Sequence, residues 1–462
     1  MHVLAALEPE GDVVLVEQLV VDRGAEGRAV ERQGHLGEVQ PGRGVRPVDA
    51  GRQPLGHDEG VDHAVAAERH PGGAQVDAEV VTVDTESVLH LAHASGGGAA
   101  RHARGRRVSG GMATRLPALL PDMKKSIGFL SFGHYQDVPG SQTPTAREAL
   151  VQSLELAVAA EEIGIDQASV RVHHFAKQLA SPFPLLAAMA ARTSRIELGT
   201  GIIDMRYENP LSMAEQAAAA DLISAGRLQL GVSRGSPETS LRGYEAFGHV
   251  PADGETDADL ARRHTELFRS AIAGDAVATS DPRMTGWSSP LAVEPRSPGL
   301  GERIWWGSGS RATAAWTAEQ GMNLMSSTLL TEDTGVPFDE LQAEQIALYR
   351  EAWAAAGHAR EPRVSVSRSV IPITTDEDVR YFGVRAQHDS HDQVGLLDGV
   401  QSRFGKSYVG EPDVIAAQLA DDAAVRAADT VLLTVPNQLG VAYCITMLES
   451  IVKHVAPAAG WR

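Results

Sequence analysis

The first 122 residues of this 462-residue chain lack lysine, asparagine, cysteine, isoleucine and every aromatic residue. Isoleucine and aromatic side chains supply much of the apolar area that a folded core buries. Residues 1–122 are therefore predicted to be a disordered or non-native extension. Most of the absent residue types have A/T-rich codons, so one hypothesis is a start-site error, with Met123 or Met112 as the native start. The other hypothesis is a real extension that is disordered.

The chain contains one cysteine, Cys444, which excludes an intramolecular disulfide framework and any multi-cysteine metal site. No apolar run approaches the ~20 residues that a membrane helix needs, and the N-terminus lacks the features of a secretory signal. We therefore expect a soluble, cytoplasmic protein with no membrane partner. A formal net charge of −19 also argues against a nucleic-acid partner, and the basic stretch at residues 101–107 lies inside the extension.

From Met123 onward, short apolar segments alternate with amphipathic segments of helical period. Thr145 and Glu148 have the spacing of a capping box, which predicts the start of a helix, and Gly164 is placed to end it. Strands are predicted at residues 126–132, 168–172, 196–203, 228–232, 304–307, 323–325, 364–371 and 430–435. Helices are predicted from residue 145 to 164 and at 185–192, 211–223, 312–319, 338–356, 413–419 and 441–455.

These units, about eight in number, predict one α/β domain over residues 123–462. A parallel barrel normally uses ~250 residues, so there is room for loop insertions, which we expect at 236–256, 275–300 and 376–409. The predicted fold is a parallel eight-stranded (β/α)8 TIM-type barrel with loop insertions. Strand counting favours this barrel but does not exclude an open, doubly wound sheet.

In a parallel barrel, the loops after the carboxyl ends of the strands carry the chemistry. His173 and His174 follow the second predicted strand, and their adjacency lets only one of them face the barrel mouth. An imidazole there could act as a general base near pH 7, and a structural histidine is the alternative. His388 and His391 have a spacing that could bind a metal, but no third ligand is evident, so no metal site is predicted.

Two further loops have residues suited to an anion. Arg234 lies between Gly231 and Gly235, where the glycines allow close backbone approach and the guanidinium could bind a phosphate. An arginine paired with a neighbouring carboxylate is the alternative. The GSGSRAT run at residues 307–313 places glycines and hydroxyls at the start of a helix, a natural anion site, although it could equally be a tight connection.

Three ordered blocks resemble the bacterial luciferase-like flavin-dependent monooxygenases: AEEIGIDQASVRVHHF, AARTSRIELGTGII and ENPLSMAEQAAAADLISAGRLQLGVSRG. Two later segments, WWGSGSRATAAWTAEQGMNLM and YVGEPDVIAAQLADD, resemble the carboxyl-terminal half of the same family. The resemblance covers most of residues 123–462 and none of the extension. It implies a parallel barrel that binds reduced FMN, supplied by a separate flavin reductase. Dioxygen would form a peroxyflavin that oxygenates a small organic substrate, such as an aldehyde or another apolar compound. A homodimer is also common in this family.

The resemblance also assigns roles to individual residues. His173 matches the catalytic histidine beside the flavin ring, and His174 its supporting neighbour. Gly201–Ile202 falls where the family often has a non-prolyl cis peptide against the isoalloxazine. The remaining matches are residues that hold the flavin phosphate in the family: Arg234, Ser236, Ser310 and Thr313. Either Arg262 or Arg263 also matches a phosphate-binding position, and we predict Arg262.

The sequence departs from luciferases at two positions. Val172 precedes the histidine pair where an acidic residue is frequent, and Ser233 stands in place of a reactive cysteine. Both differences leave the flavin site intact and argue against light emission from an aldehyde. Two alternatives stay open: related barrels use a deazaflavin for hydride transfer, and some relatives bind flavin without catalysis.

Overall fold

The structure is a computed structural model that describes residues 2–7, 13–18, 124–235, 240–332, 334–388, 392–397 and 400–462. Near the N-terminus, His2–Leu7 and Val13–Gln18 pair as antiparallel strands. The rest of residues 1–122 lies outside the described parts, so the expectation of a disordered or non-native extension stays a prediction. None of the helices in the described parts is long and apolar enough to cross a membrane.

Eight parallel strands close into a barrel, which confirms the predicted fold class and excludes the open sheet. The last strand pairs with the first from Thr430–Ser126 to Val435–Ser131. In chain order the strands are β1 (Ser126–Ser131), β2 (Gln167–Val170), β3 (Glu197–Asp204), β4 (Leu228–Ser233), β5 (Ile304–Ser308), β6 (Asn323–Ser326), β7 (Val364–Arg368) and β8 (Thr430–Val435).

Helices connect the strands around the outside of the barrel. The predicted capping box is confirmed, because the Thr145 and Glu148 side chains each bond to the backbone of the other residue, and Gly164 ends the helix with φ +89°. The helices are α1 (Ala146–Ile163), α2 (Pro182–Arg192), α3 (Pro210–Ile223), α4 (Asp257–Ala273), α5 (Arg311–Glu319), α6 (Phe338–Ala356), α7 (Asp376–His388), α8 (Pro412–Asp421), α9 (Ala423–Ala427) and α10 (Val441–Ser450).

The expectation of a loop over residues 376–409 is wrong. This stretch contains α7 and an antiparallel hairpin, Gln393–Leu397 with Val400–Phe404. The helix begins at a second capping arrangement, in which Asp378 accepts from the Thr375 N–H and Thr375 Oγ1 accepts from the Asp378 N–H. It also buries Phe382 against the barrel mouth.

The segment predicted as one strand at 364–371 divides after β7. Val370–Pro372 forms a separate parallel pair with Tyr408–Gly410. The other short elements are the strands Ala278–Thr279, Pro290–Leu291 and Leu329–Leu330, the turns of helix Pro282–Thr285, Gly243–Phe247, Leu300–Arg303 and Asn437–Leu439, and a carboxyl-terminal continuation through Ile451–Val455 and Ala456–Ala458.

The barrel interior is layered. At its amino-terminal end, Glu197 forms a two-bond ion pair with Arg363 and accepts from Gln229, which in turn accepts from the Trp305 indole. Above this polar floor lies an apolar layer that contains Leu130, Phe132, Trp305, Met325 and Leu432. The described interior at this level is therefore filled, and barrels of this type carry their sites at the carboxyl ends of the strands.

Candidate active site

A cleft of about 1480 Å³, counting its solvent-open mouth, lies at the carboxyl ends of the strands. The residues that line it come from β1 and β3 to β7, from the segment after β2, and from α4 and α5. Six of the seven predicted cofactor-binding residues meet here, from four separate parts of the chain: Gly201, Ile202, Arg234, Arg262, Ser310 and Thr313.

One end of the cleft is cationic and rich in hydroxyls. Ser310 caps α5; its Oγ accepts from the Thr313 N–H at 3.3 Å and donates to Thr313 Oγ1 at 3.0 Å. The Arg311 N–H already donates to Glu332, so the helix start keeps only part of its anion-binding capacity. The guanidinium of Arg262 lies 4.8 Å from the Trp316 ring, which holds its charge beside the cleft.

Arg234 is half exposed and is oriented by carboxylates behind it. Its guanidinium lies 3.8 Å from Asp257, and Asp257 also binds Arg206 at 2.7 Å. Arg206 is bound in addition to the buried Asp204 at 2.6 Å. Burial lowers the pKa of Arg206. Its bonds to Asp204 and the charge of Asp257 raise this pKa by more than burial lowers it, so Arg206 stays charged. Arg206 neutralises much of the negative charge of Asp257. The positive charge of Arg234 therefore remains able to attract a bound anion.

Glycine is required on both sides of this region. Gly235 has φ +88°, and a Cβ there would lie 2.0 Å from an Asp204 oxygen. A Cβ on Gly231 would lie 2.3 Å from the Thr200 carbonyl oxygen. The glycines let β3, β4 and the loop after β4 approach closely enough to form one wall of the cleft.

The other end of the cleft is apolar and contains the cis peptide. Gly201–Ile202 is cis, as predicted, and the β3–β4 register shifts between Thr200 and Ile203 at this point. Leu130 and Met325 lie against Gly201, since a Cβ there would be 3.0 Å from Leu130 Cδ1 and 3.6 Å from Met325 Sδ. This end therefore presents the Gly201–Ile202 backbone flanked by apolar side chains.

The two predicted catalytic histidines do not themselves line the cleft. His173 is buried, and its Nε2 accepts a 2.8 Å hydrogen bond from Arg171 Nε. Arg171 does line the cleft, and sequence reasoning missed it. The available signal was alternation, which places residues 171 and 173 on the same side of the strand end. The catalytic role of His173 stays a prediction, with Arg171 as its contact to the cleft.

His174 has different surroundings. Its ring stacks on Tyr207 at 4.2 Å and meets Phe247 edge-on at 5.1 Å. Burial lowers the pKa of His174 to about 4, and its Nε2 has no hydrogen-bond partner among the described residues. The ring is therefore neutral at pH 7 and acts as an apolar packing group, and its supporting role stays a prediction.

The remaining site predictions have different outcomes. Between the two candidate arginines, Arg262 lies at the cleft, whereas Arg263 pairs with Glu255 at 3.0 Å. Ser236 lies outside the described residues. His391 and the His388 side chain also lie outside them, and the part of the chain that the structure describes contains no group of three potential metal ligands.

A closed (β/α)8 barrel with a cleft at the carboxyl ends of its strands has the architecture of the barrel enzymes. Within that class, the family model of luciferase-like monooxygenases matches residues 127–427. The chain therefore belongs to the luciferase-like monooxygenase family, and the resemblance drawn from the sequence is confirmed.

A monooxygenase and an F420-dependent dehydrogenase are among its relatives. The chain is 32% identical over 161 residues to 4-hydroxyprotoasukamycin monooxygenase of Streptomyces nodosus subsp. asukaensis, covering 32% of this chain and 39% of the relative. It is 37% identical over 131 residues to the F420-dependent glucose-6-phosphate dehydrogenase of Nocardia farcinica, covering 27% of this chain and 38% of the relative. The chain thus spans less than half the length of these two curated relatives.

The fold is shared with a solved flavoprotein. The oxygenating constituent of 3,6-diketocamphane monooxygenase from Pseudomonas putida, solved in complex with FMN, superposes with a TM-score of 0.54. The match covers 72% of this chain and 98% of that chain at 19% identity. At this identity the match shows the fold alone.

Proposed function

We propose that the protein is a monooxygenase that takes reduced FMN from a separate flavin reductase and uses dioxygen to oxygenate a small organic substrate. The two-part cleft carries this proposal. FMN has a phosphate and a tricyclic ring, and the cleft has a cationic, hydroxyl-rich end and an apolar end. The FMN bound by the camphane monooxygenase of the same fold supports the choice of cofactor.

In this proposal Arg234, Arg262, Ser310 and Thr313 hold the phosphate, and the Gly201–Ile202 backbone lies against the ring. Bound reduced flavin supplies two electrons, with which one atom of dioxygen becomes water while the other enters the substrate. Each phosphate-binding residue adds charge or a hydroxyl at the polar end, whereas the apolar end excludes the water that would compete with the substrate.

His173 is the proton-transfer group of this proposal. A ring nitrogen that accepts a hydrogen bond carries no proton, so the bond from Arg171 to Nε2 places the ring proton on Nδ1. Arg171 fixes the ring orientation and connects it to the cleft. This bond thereby holds His173 in one tautomer and one orientation.

The first test is a paired anaerobic titration of the full chain with reduced FMN and with reduced deazaflavin. We expect tighter binding of FMN, and an oxygen-dependent absorbance change that precedes oxidised flavin once air is admitted. Deazaflavin preference without any oxygen-dependent species would instead establish hydride transfer. The F420-dependent relative from Nocardia is the observation that favours this second candidate.

The His173→Ala variant distinguishes an enzyme from a flavin carrier. An oxygenase should keep its FMN affinity and lose most of its turnover, about 100-fold or more for a proton-transfer group. His454→Ala, at an exposed histidine in the carboxyl-terminal segment, is the matched control. A wild-type protein that binds FMN and releases it unchanged under every substrate condition would support the carrier.

A further inference from the structure

A second cavity, of about 890 Å³ when its opening to solvent is counted, adjoins the cleft and is not used by the proposed FMN site. The two spaces share Thr328 and Ser367 in their walls. The second cavity lies beyond the ends of β1, β7 and β8 and under α7. A compound held there would therefore lie beside the cleft.

Aromatic rings form much of the wall of this cavity. Phe132, Phe338 and Phe382 reach it from the end of β1, the start of α6 and the middle of α7. All three rings are buried, and Ile371 adds an aliphatic surface. Rings that approach from three directions give a flat aromatic guest both stacking and edge contacts, which a flexible alkyl chain cannot use.

The charged groups at the cavity favour oxygen acceptors over cations. None of the described residues that line it is a carboxylate. The guanidinium of Arg368 is neutralised by the buried Asp422, at 2.7 and 3.0 Å, and Asp422 also accepts from the Tyr408 hydroxyl at 2.5 Å. The Lys406 ammonium lies 5.2 Å from the Tyr408 ring and adds a positive charge to the same wall.

His134 is a fixed polar group in this wall. Thr143 and Asn437 both donate to its carbonyl oxygen, and Asn437 accepts from its N–H. Its ring lies parallel to Phe132 with centroids 5.5 Å apart. The Gln178 amide lies 2.8 Å from Nε2 and holds the ring in place. Such a clamped imidazole positions a hydrogen-bond group with little loss of entropy on binding.

We propose that this aromatic chamber, lined by Phe132, His134, Phe338, Phe382 and Lys406, is the substrate site, and that its substrate is an aromatic compound bearing a phenolic or carbonyl oxygen. The rings of the chamber bind the aromatic part, and its cationic and polar groups bind the oxygen. The proposal rests on the proposed monooxygenase function only for the fate of the bound compound, because binding itself requires no flavin.

The test is calorimetric binding of three probes to the full chain: 1-naphthol, naphthalene and 1-decalol. Naphthalene lacks the oxygen of 1-naphthol, and 1-decalol has the same carbon skeleton and hydroxyl without the aromaticity. We expect 1-naphthol to bind at least 10-fold more tightly than either of the others. Equal or tighter binding of 1-decalol would overturn the proposal.

Variants locate the binding. Phe382→Ala should weaken 1-naphthol binding at least 10-fold and Phe382→Leu by less, whereas Phe247→Ala, at a half-exposed phenylalanine away from the chamber, should leave it unchanged. Wild-type affinity for 1-naphthol in a folded Phe382→Leu and Phe382→Ala pair would place the site elsewhere and refute the chamber.

An FMN titration of the same samples separates the two proposals. Unchanged FMN affinity in the variants shows that they are folded and that the chamber is distinct from the cleft. Failure of wild-type protein to bind FMN, with Phe382-dependent binding of 1-naphthol, would refute the proposed function and leave the chamber standing. FMN binding without 1-naphthol binding would refute the chamber and leave the proposed function standing.

Discussion

At the residue scale, the two arginines of the cleft differ in how their charge is held. Arg234 shares Asp257 with Arg206, whereas Arg262 lies over the Trp316 ring with no carboxylate partner among the described ion pairs. A cation that stacks on a ring keeps its donors available for a phosphate. Arg262 is therefore the residue whose loss should be most specific to the phosphate of FMN.

The Arg262→Ala variant should bind FMN about 10- to 100-fold more weakly, the cost of one charged hydrogen-bonded contact. Its affinity for riboflavin, which has no phosphate, should stay the same. Fluorescence titration with both flavins measures the difference. Arg263→Ala is the control, because Arg263 pairs with Glu255 instead. An equal loss of FMN and riboflavin affinity would contradict the phosphate assignment.

His174 should make the stability of the protein depend on pH. Burial lowers its pKa from the usual 6.5 to about 4, so the unfolded chain binds the extra proton first as the pH falls. The contribution of neutral His174 to the free energy of unfolding is complete above pH 6.5 and is lost progressively as the pH falls toward 4. The wild type should therefore lose about 2 kcal/mol more than His174→Phe between pH 7 and pH 5.

Urea denaturation at the two pH values measures this loss. Phenylalanine preserves the stacking on Tyr207 and removes the titrating group. The exposed His454→Gln variant should retain the wild-type pH dependence. Identical pH dependence of wild type and His174→Phe would show that the histidine is not buried in its neutral form.

At the scale of elements, Glu161 fastens the last turn of α1 to the segment that leads into β3. Its carboxylate accepts from the backbone N–H groups of Ser194, Arg195 and Ile196 at 2.6–3.1 Å. Partial burial raises the pKa of Glu161, but the N–H groups of Ile196, Arg195 and Ser194 outweigh it and lower the pKa to about 2. One side chain thus caps three backbone donors that no other element satisfies at this position.

Replacing Glu161 by glutamine should reduce the free energy of unfolding by about 1–3 kcal/mol at pH 7, because the bonds to a charged acceptor are lost. The stabilisation is complete above pH 4.5 and is lost as the pH falls toward 2, so the difference from wild type should shrink in acid. Thermal unfolding at pH 7 and pH 3.5 tests this. The adjacent, exposed Glu162→Gln should have no effect at either pH.

Elements with strong local signals could be predicted from the sequence. The capping box at Thr145 and the apolar period of residues 338–356 are local signals from which their helices can be predicted. By contrast, α7 has three acidic residues in its first turn, and its packing depends on Phe382 meeting residues from the ends of β7 and β8. Those partners are distant in sequence, so the polar composition of 376–409 resembled a loop.

The candidate site also contains residues that local motifs predict and residues that no local motif predicts. Arg234, Ser310 and Thr313 belong to local motifs that mark strand-to-helix turns, and the structure brings them to one cleft. Arg171 and the aromatic chamber depend on which side chains converge across the barrel mouth. Phe132 and Phe382 are 250 positions apart, so no local pattern could join them.

At the scale of the whole molecule, the barrel closes upon itself within residues 124–462. The Lys125 N–H donates to the Trp461 carbonyl oxygen at 3.2 Å, and β8 pairs with β1 along its full length. We therefore predict that a chain beginning at Met123 melts at the same temperature as the full chain and binds FMN equally well. A chain beginning at Gly133 lacks β1 and should not fold.

Calorimetry and FMN titration of the three chains test this prediction. Mass spectrometry of the native N-terminus tests the start-site hypothesis separately, since peptides from before Met112 would refute it. Loss of melting temperature or of FMN affinity on removal of residues 1–122 would make the extension part of the folded unit.

The bond between Lys125 and Trp461 has a further consequence. The first and last strands of the barrel pair with each other. The barrel is therefore held together by strand pairing and does not depend on where the chain begins and ends. A short linker from Arg462 to Lys124 would allow the chain to be opened at the exposed turn around Trp287. The resulting circular permutant would keep all the pairings of the eight barrel strands, and its new termini at this turn would be an attachment point for a fused reductase.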